Sequence, residues 1–331
     1  MSASLPPALV LTAGLGTRLR PLTAFRAKPA LPVARRPLVA RILDGLRARG
    51  VTDAVLNLHA HPASVAAVVG DGSPFGMRVR YSLEPQILGS AGGPRHAWPL
   101  LEADPVLIVN GDTLTDVDLE ALCAAHARSG ARVTMAVIAN PAPAHYGGFD
   151  ADADGVVRAL VTAGAWRTRV AVDPAATPPW HFIGVQVVDR DVFADLPDNE
   201  PAESVRGIYR EWLVSRPGEI RLFVADTTFD DIGTAADFHR TSLAYAGGDG
   251  AQLIEATAVI APSARLADTI VLEGAEVGAR ADLGHCIVCE TTRVPSDYHD
   301  SGAILAPADW IDAAPGGVVA GTLARWPIAR G

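Results

Sequence analysis

The sequence predicts an α/β protein whose sheet is mostly parallel, followed by a short left-handed parallel β-helix. In the first half of the chain, short apolar runs alternate with segments of helical spacing, which is typical of βαβ units. Beyond Gly247, aliphatic residues recur every six positions with Ala, Gly and Pro between them, which is typical of a β-helix. We therefore expect a large first domain over residues 1–246, a β-helix over 250–306 and a tail over 307–331.

The elements of the first domain can be assigned in chain order. The run ALVLTA is short, apolar and followed by glycines, which suits a buried parallel strand. The next run, PLVARILDGLRARG, places Leu38, Ile42 and Leu46 at four-residue spacing between Pro37 and Gly50, which predicts a helix. Further strands are predicted at DAVLNLH, DPVLIVNGD and RVTMAVIAN, and further helices at HPASVAAVVGDG and VDLEALCAAHARSG.

Composition limits the classes of partner and compartment. The formal net charge of −9 excludes a general nucleic-acid or anionic-membrane binder, because those need a basic face. Three cysteines cannot form a disulfide framework, and no apolar run reaches the roughly 18 residues of a transmembrane helix. The first residues, MSASLPP, do not resemble a signal peptide. We therefore expect a cytoplasmic protein with no nucleic-acid and no membrane partner.

Glycines follow two of the predicted strands and indicate where a ligand binds. Gly14 and Gly16 follow the first strand, and Gly111 precedes Asp112 at the end of a later one. Ligands of parallel α/β sheets bind beyond the carboxyl ends of the strands, and a glycine pair lets the backbone turn tightly and approach a phosphate closely. We therefore expect the functional site at this edge of the sheet.

The first glycine loop matches neither common nucleotide-binding motif. A dinucleotide fingerprint needs a glycine where Leu19 stands, and an ATPase phosphate loop needs a Gly-Lys-Ser/Thr triplet that the chain lacks. Instead a cationic run follows, with Arg18, Arg20, Arg26 and Lys28, the last being the only lysine of the chain. A compact ammonium follows charge at one crowded point, whereas a planar guanidinium prefers an edge of two oxygens. We predict that such a geometric requirement retains Lys28.

Five segments together resemble the sugar-1-phosphate nucleotidyltransferases. The segment LTAGLGTRLRPLTAFRAKPALPV resembles the family signature A-G-x-G-T-R-L-x-P-x-T followed by K-P-x-x-P-V. In the expected order follow LGSAGGPRHA, VNGDTLTDVDL, YGG and FDDIGTAADF. The resemblance implies a Rossmann-like mixed, mostly parallel sheet, and a C-terminal left-handed β-helix also occurs in many family members. Among them, the central segments are most similar to mannose-1-phosphate guanylyltransferases and to uridylyltransferases acting on amino-sugar phosphates.

The resemblance also implies the roles of individual residues. Arg18 would grip the triphosphate, Lys28 would contact the phosphates around the reacting phosphorus, and Asp112 would complete the catalytic set. Nucleotide binding is expected from a larger group that includes Arg18 and the two glycine-rich segments: Ala13, Gly14, Gly16, Thr17, Gln86, Gly89, Ser90 and Ala91.

Two carboxylates are candidates for binding Mg²⁺. Asp112 and Asp231 lie in distant parts of the chain at strand or turn ends, which suits an oxygen-lined site shared with substrate phosphates. Asp112 could equally be the N-cap of a helix that starts near Thr115. The family resemblance assigns the metal to Asp112 and Asp231. Asp230 is the weaker candidate, because neighbours on an extended segment point in opposite directions.

The sugar side departs from the family pattern. Family members carry a Glu-Lys-Pro triplet whose lysine contacts the sugar phosphate, and VVRALVTAGAW has neither Glu nor Lys at the matching place. Arg167 or Arg169 could substitute for that lysine. Gly147, Gly184 and Glu203 are the other residues expected near the sugar phosphate.

The functional expectation is an Mg²⁺-dependent enzyme that forms an NDP-sugar and pyrophosphate from a nucleoside triphosphate and a sugar 1-phosphate. GTP is the favoured donor and a GDP-sugar such as GDP-mannose the favoured product. A uridylyl- or thymidylyltransferase and a non-catalytic NDP-sugar-binding regulator are the alternatives. We also expect a homo-oligomer, because the short coil stack has open ends and a flat aliphatic flank.

Overall fold

The computed structural model describes residues 5–248 and 252–328, which divide into two compact units. The first unit contains residues 5–14, 39–62 and 69–230, and the second contains residues 15–38 and 63–68 together with the described residues from 231 onward. In the described part of the chain, every helix is too short or too polar to cross a membrane.

The described residues form eight α-helices and twenty-five strands. The helices are α1 (Leu38–Ala48), α2 (Pro62–Val69), α3 (Gly89–Ala97), α4 (Leu119–Ser129), α5 (Pro143–Tyr146), α6 (Ala163–Val172), α7 (Arg210–Ser215) and α8 (Ala235–Ala246). The strands are β1 (Ala8–Leu11), β2 (Pro32–Val33), β3 (Arg36–Pro37), β4 (Asp53–Leu58), β5 (Arg78–Leu83), β6 (Val106–Asn110), β7 (Thr113–Thr115), β8 (Val133–Ile138), β9 (Gly148–Ala151), β10 (Val157–Val161), β11 (His181–Val188), β12 (Ile220–Val224), β13 (Phe229–Asp231), β14 (Gln252–Ile254), β15 (Val259–Ile260), β16 (Arg265–Ala267), β17 (Thr269–Val271), β18 (Glu276–Val277), β19 (Asp282–Gly284), β20 (Ile287–Val288), β21 (Arg293–Val294), β22 (His299–Ser301), β23 (Ala303–Pro307), β24 (Val318–Ala320) and β25 (Leu323–Pro327).

A seven-stranded mixed sheet forms the centre of the first unit, in the order β12-β8-β11-β6-β1-β4-β5. Strands β5, β4, β1 and β6 run parallel, and β11 is antiparallel to both of its neighbours, β6 and β8. The helices and strands predicted from the apolar runs are present, including α1 between Pro37 and Gly50. The predicted mostly parallel α/β sheet is therefore confirmed.

The central strands are apolar along most of their length because both faces of the sheet are covered. Strand β1 has three consecutive fully buried residues, and β4 and β6 are equally buried, which is the pattern of a parallel sheet between helix layers. Aromatic residues fill the space beside the sheet, with Trp98 packed against Phe193 at 6.2 Å between ring centroids. Near their carboxyl ends, β4 and β6 carry the polar residues Asn57 and Asn110.

Within the second unit, three parallel ladders form a short β-helix. They consist of β14-β17-β20-β23, β15-β18-β21 and β16-β19-β22, so that three full coils are followed by the first strand of a fourth. The antiparallel strands β25 and β24 extend the first ladder. The fold class predicted for this part of the chain is confirmed.

The coil repeat is 17 residues, one fewer than the strict six-residue period predicts. Gln252 pairs with Thr269, and Ile270 pairs with Ile287, so the chain returns to the same position after 17 residues. The shorter side of each coil ends at a corner whose residue has a left-handed backbone conformation. These corner residues are Asp268 (φ 46°) and His285 (φ 53°). Because this corner closes with one residue fewer, the interior positions follow a 6-6-5 spacing.

Candidate active site

The glycine loop between residues 15 and 38 belongs to the second unit and closes on itself. Gly16 has φ 61°, a conformation that strains other residues, and its carbonyl oxygen accepts a hydrogen bond from Thr23 Oγ1 at 2.8 Å. A Cβ atom on Gly16 would lie 3.0 Å from Thr23 Cγ2 and 3.2 Å from Lys28 Cβ. The glycine is therefore required both by the turn and by close packing between the two ends of the loop.

Lys28 is a buried residue at the start of a short 3₁₀ helix, Lys28–Ala30. Its relative exposure is 8%, unusually low for lysine. Ala27, the residue before it, donates its N–H to Ser64 Oγ at 3.0 Å, which fixes the backbone at this point. A buried ammonium on a fixed backbone is placed with much less freedom than a surface lysine.

Arg18 lies beside the Asp231-Ile-Gly233 turn, in the same unit. A Cβ atom on Gly233 would be 3.1 Å from Asp231 Oδ2 and 3.5 Å from both Nη atoms of Arg18. Glycine at this position therefore leaves room for the carboxylate of Asp231 and for the guanidinium of Arg18, which approaches from the glycine loop. Thr234, which follows, caps α8 through a reciprocal pair of hydrogen bonds with Asp237. The cap anchors the turn that carries Asp231.

In the first unit, the end of β1 is held by a buried polar network. Thr12 N donates to Asn57 Oδ1 at 2.6 Å, and Asn57 Nδ2 donates to Glu84 Oε1 at 2.7 Å. Glu84 Oε2 accepts the backbone N–H of Leu88 at 2.9 Å. All three polar residues are at most 4% exposed. The network joins the residue before Ala13 and Gly14 to the segment that carries Gly89, Ser90 and Ala91.

Sequence reasoning missed Asn57 and Glu84. The only signal was a polar residue inside the apolar run DAVLNLH and an acidic residue directly after β5. Neither belongs to a motif, and their pairing depends on β4 lying beside β5 in the sheet. A Cβ atom on Gly14 would have no atom within 4 Å, so the backbone that this network supports is open on that side.

Glu203 lies with the predicted nucleotide-binding residues. Ser90 Oγ donates to Glu203 Oε2 at 2.8 Å, and a Cβ atom on Gly89 would be 2.9 Å from Glu203 Oε1. Gln86 is exposed, and its Nε2 donates to the carbonyl oxygen of Asn199 at 2.9 Å. Ala91 is fully buried and donates its N–H to Ala202 O at 2.9 Å. The segments 86–91 and 199–203 thus form one connected surface.

Two glycines of the sugar-side group are required by their backbone. Gly147 has φ 70°, and its Cβ atom would lie 2.4 Å from the carbonyl oxygen of Val161. Gly184 has φ 79°, and its Cβ atom would lie 2.8 Å from Asn110 Nδ2. Both positions exclude a side chain for steric reasons. Gly184 lies beside Asn110, the last residue of β6, and Asn110 is two residues before Asp112.

The two arginines that could replace the family lysine differ in their contacts. Arg169 forms a bidentate ion pair with Asp150, at 3.1 and 2.6 Å. Arg167 is exposed on α6, and its Nη1 donates to the carbonyl oxygen of Ala144 at 2.6 Å, two residues before the YGG segment. The guanidinium of Arg169 is thus engaged by a carboxylate, whereas that of Arg167 is bound through one nitrogen to the loop expected to line the sugar site.

A row of aromatic rings backs this sugar-side loop. The ring of Tyr146 lies 4.6 Å from that of His181, which lies 4.8 Å from the ring of Phe229. Burial lowers the pKa of His181 to about 4, and its Nε2 is buried without a hydrogen-bond partner among the described residues. His181 is therefore a neutral, packed ring at neutral pH. Sequence reasoning did not single it out.

Asp112 is not a helix N-cap, so that alternative from the sequence is wrong. Residues Thr113–Thr115 form strand β7, and α4 begins only at Leu119, where the side chain of Asp118 accepts the N–H of Ala121. Asp112 is half-buried in the turn between β6 and β7. Carboxylates such as Asp112 and Asp231 are the oxygen ligands that Mg²⁺ prefers, so the donor chemistry fits this ion.

The sheet, the glycine loop and the order of the motif segments are those expected of a nucleotide-transferring enzyme. Residues 7–163 match the family described as Nucleotidyl transferase. The mannose-1-phosphate guanylyltransferase of Mycobacterium tuberculosis is 30% identical over 300 residues, which are 87% of this chain and 80% of that protein. The chain therefore belongs to the sugar-1-phosphate nucleotidyltransferases, and the family recognised from its motifs is confirmed.

Two further comparisons give a relative of part of the chain and a similar fold. The N-acetylmuramate α-1-phosphate uridylyltransferase of Neisseria meningitidis is 44% identical over 115 residues, covering 34% of this chain and 50% of that protein. HddC from Yersinia pseudotuberculosis, whose structure was also solved in complex with GMP-PN, covers 73% of this chain with a TM-score of 0.57 and 20% identity. At this identity the structural likeness shows the fold alone.

Proposed function

We propose that the chain transfers a guanylyl group from GTP to mannose 1-phosphate or a closely similar sugar 1-phosphate, giving a GDP-sugar and pyrophosphate. The observation that supports it most directly is the glycine loop, which buries the chain's single lysine and directs Arg18 to the Asp231 turn. The choice of guanine and mannose rests on the family resemblance and on the name of the relative from Mycobacterium tuberculosis.

Little covalent help from the protein is needed for this reaction. A phosphate oxygen of the sugar 1-phosphate attacks the α-phosphorus in line, the bond to the bridging oxygen of the leaving group breaks, and pyrophosphate departs. The attacking oxygen is already anionic, so no general base is required. Arg18 and Lys28 orient the phosphates and balance the charge that develops on their oxygens. The remaining contribution is the positioning of the two substrates.

Asp112 and Asp231 are the residues that we propose to bind Mg²⁺. Bound there, the ion would neutralise phosphate charge, and it would take its other ligands from substrate and water oxygens. Chelation of Mg²⁺ should abolish turnover, and Asp112→Asn should cost more turnover than Asp230→Asn. Equal losses in these two variants, measured side by side, would show that the wrong acidic residues have been assigned.

On the acceptor side we propose Arg167 rather than Arg169 as the contact that replaces the missing lysine. Arg169 is already paired with Asp150, whereas Arg167 donates one of its nitrogens to a backbone carbonyl beside the sugar-side loop. Arg167→Ala should raise KM for the sugar 1-phosphate without changing KM for the nucleotide. A KM effect of this kind in Arg169→Ala instead would reverse the assignment.

One experiment tests the reaction and the substrates together. Pyrophosphate release is measured over a grid of GTP, UTP, dTTP and ATP against several sugar 1-phosphates. We expect turnover with GTP and mannose 1-phosphate to be highest. Turnover only with UTP and an amino-sugar 1-phosphate would support the second candidate, a uridylyltransferase, which the 44% identity to the Neisseria meningitidis protein favours. No turnover anywhere in the grid would overturn the proposed reaction and favour a regulatory binding protein.

We also propose that the protein is a cytoplasmic homo-oligomer, most simply a dimer, with residues 250–306 at or near the interface. Free cysteines are typical of a reducing compartment, and the β-helix ladder ends in the exposed edge strand β24. Light scattering at micromolar concentration should give twice the mass of the chain. A monomeric mass would remove the oligomer from the proposal.

A further inference from the structure

The glycine loop makes two side-chain contacts with the β-helix region inside the second unit. Arg26 Nη2 lies 3.0 Å from Glu290 Oε1, and both side chains are largely shielded, with 27% and 16% exposure. Phe25, the residue before Arg26, packs against Trp310, with ring centroids 4.8 Å apart. Glu290 follows strand β20, and Trp310 lies in the 3₁₀ helix after β23. Neighbouring residues of the loop are therefore attached to two separate parts of the C-terminal region.

The attachment point lies between residues that shape the phosphate-binding part of the loop. Thr23 Oγ1 bonds to Gly16, and the Gly16 backbone packs against the Cβ of Lys28. Phe25 and Arg26 stand between Thr23 and Lys28 in the chain. A shift of this short stretch would therefore be transmitted to Gly16 on one side and to the buried ammonium on the other.

The charge around Arg26 favours one fixed position. Glu255, Glu273 and Glu290 follow β14, β17 and β20, which are successive strands of the first ladder. Burial raises the pKa of Glu255, which Glu273 and Glu290 raise further, while Arg35 and Arg26 lower it. The loop thus presents two arginines to an acidic edge, and the partly buried pair is screened less by salt than a surface pair.

We propose that the β-helix holds the phosphate-binding loop in its active position through Arg26–Glu290 and Phe25–Trp310. Arg26 and Glu290 are positioning residues that act through Lys28 and Arg18. This inference rests on the proposed function and adds a role for the β-helix in nucleotide binding itself. In this role, the β-helix region fixes the positions of Arg18 and Lys28, although it contributes no residue that contacts the nucleotide.

Charge reversal with rescue tests the proposal. Arg26→Glu and Glu290→Arg should each lower kcat/KM for GTP by about 10-fold to 10²-fold, because small displacements of positioning groups have effects of this size. The loss should include a rise in KM for GTP, with KM for the sugar 1-phosphate unchanged. The double variant, Arg26→Glu with Glu290→Arg, should regain most of the lost kcat/KM. Loss of folded protein alone would lower apparent kcat and leave both KM values unchanged.

The β-helix provides a matched control pair, Arg280 and Asp297. This ion pair joins successive coils of the β-helix and has two contacts of 2.6 Å, but both side chains are more than half exposed. Arg280→Glu should leave kcat/KM for GTP within about twofold of wild type, as expected for an exposed pair. The proposal is overturned if Arg280→Glu is as damaging as Arg26→Glu, if both reversals at 26 and 290 are harmless, or if the double variant is no better than the single variants.

Hydrogen exchange gives a second readout that needs no turnover. Amides of residues 15–31 should exchange faster in Arg26→Glu and in Glu290→Arg, return towards wild type in the double variant, and stay unchanged in Arg280→Glu. If the wild type has no activity on any substrate pair, the proposed function fails while this measurement still tests the attachment. Unchanged exchange in Arg26→Glu would overturn the attachment even in an active enzyme.

Discussion

The seven-stranded sheet and the β-helix both stack parallel strands over an aliphatic interior, but they differ in the polar side chains that they bury. At the carboxyl ends of the sheet strands, Thr12, Asn57 and Glu84 form a network between separate elements. In the β-helix, the hydroxyl of Thr269 is fully buried and bonds to carbonyl oxygens of the preceding coil and of its own coil, Ala267 at 2.8 Å and Leu283 at 3.1 Å. The buried network of the sheet thus supports segments of the site, whereas the buried Thr269 hydroxyl supports the ladder itself.

This difference indicates where changes affect activity and where they affect only stability. Cys286 and Cys289, which stand in a metal-like spacing, are both fully buried, and burial raises the pKa of Cys286 to about 11. Among the described residues there is no cluster of three or more groups suited to a metal ion. The burial of both thiols is typical of packing residues, and the contribution of the β-helix to activity that we propose comes from its contacts with the loop.

The largest effect is expected at Lys28. Replacement by alanine should cost about 10²–10³ in turnover, the usual loss for one preorganised electrostatic contact. Replacement by arginine should be nearly as damaging, because the residue is buried against Gly16 and the planar head cannot reach the same point. Steady-state kinetics on both variants, with Arg20→Ala on the same loop as a control, provide the measurement. If Lys28→Arg keeps most of its activity, any positive charge suffices there.

The next effect concerns the pH dependence of stability and His181. Its pKa is about 4 in the folded state, against 6.5 as the ordinary value, so only the unfolded chain gains this proton between those pH values. The contribution of His181 to the free energy of unfolding is therefore fully present above pH 6.5. The free energy of unfolding falls by up to about 3 kcal/mol as the pH drops to 4. Denaturant titrations at several pH values should show this loss in wild type and in the exposed-residue control His299→Gln. His181→Phe should show a smaller loss, because buried His239, whose pKa is also lowered by burial, still contributes in this variant. An unchanged slope in His181→Phe would disprove the assignment.

A smaller effect is expected at Glu84, where loss of the negative charge weakens two hydrogen bonds. Glu84→Gln should lower the free energy of unfolding by about 1.5–3 kcal/mol, the range for bonds to a charged group. The variant should also raise KM for the nucleotide, since Leu88 precedes Gly89 and Ser90. Glu102→Gln, at a side chain that is 62% exposed, is the control and should change neither quantity. Equal free energies of unfolding in the two variants would show that the charge of Glu84 does not stabilise the network.

The smallest effects come from one substitution made in both regions. Thr12→Val and Thr269→Val each remove a buried hydroxyl and should each cost about 1 kcal/mol of unfolding free energy. Thr12→Val should in addition lower kcat/KM by about 10-fold, because Thr12 precedes the glycine loop. Thr269→Val should leave kinetics unchanged. A lower kcat/KM in Thr269→Val, or an unchanged kcat/KM in Thr12→Val, would show that buried hydroxyls of the sheet and of the β-helix do not differ in their effect on activity.

The sequence alone determined the class of each region, because local periodicity follows directly from side-chain spacing. The apolar run of β1 and the helix between Pro37 and Gly50 were assigned correctly, and the motif order identified the family. The length of the coil was predicted wrongly: it is 17 residues rather than 18, because the corners at Asp268 and His285, which adopt positive φ, contain one residue fewer. Identical residue types can occupy such a corner or a strand, so the spacing of aliphatic residues does not reveal which occurs.

Only the tertiary structure decided which polar residues support the site. Asn57 meets Glu84 because β4 lies beside β5, and Arg26 meets Glu290 across 264 positions of chain, so no local pattern relates the partners. The sequence could name Lys28 as unusual because it is the only lysine, but its burial depends on how the loop closes on Gly16. Residue identity fixes the available chemistry, whereas long-range packing fixes which groups are held still enough to use it.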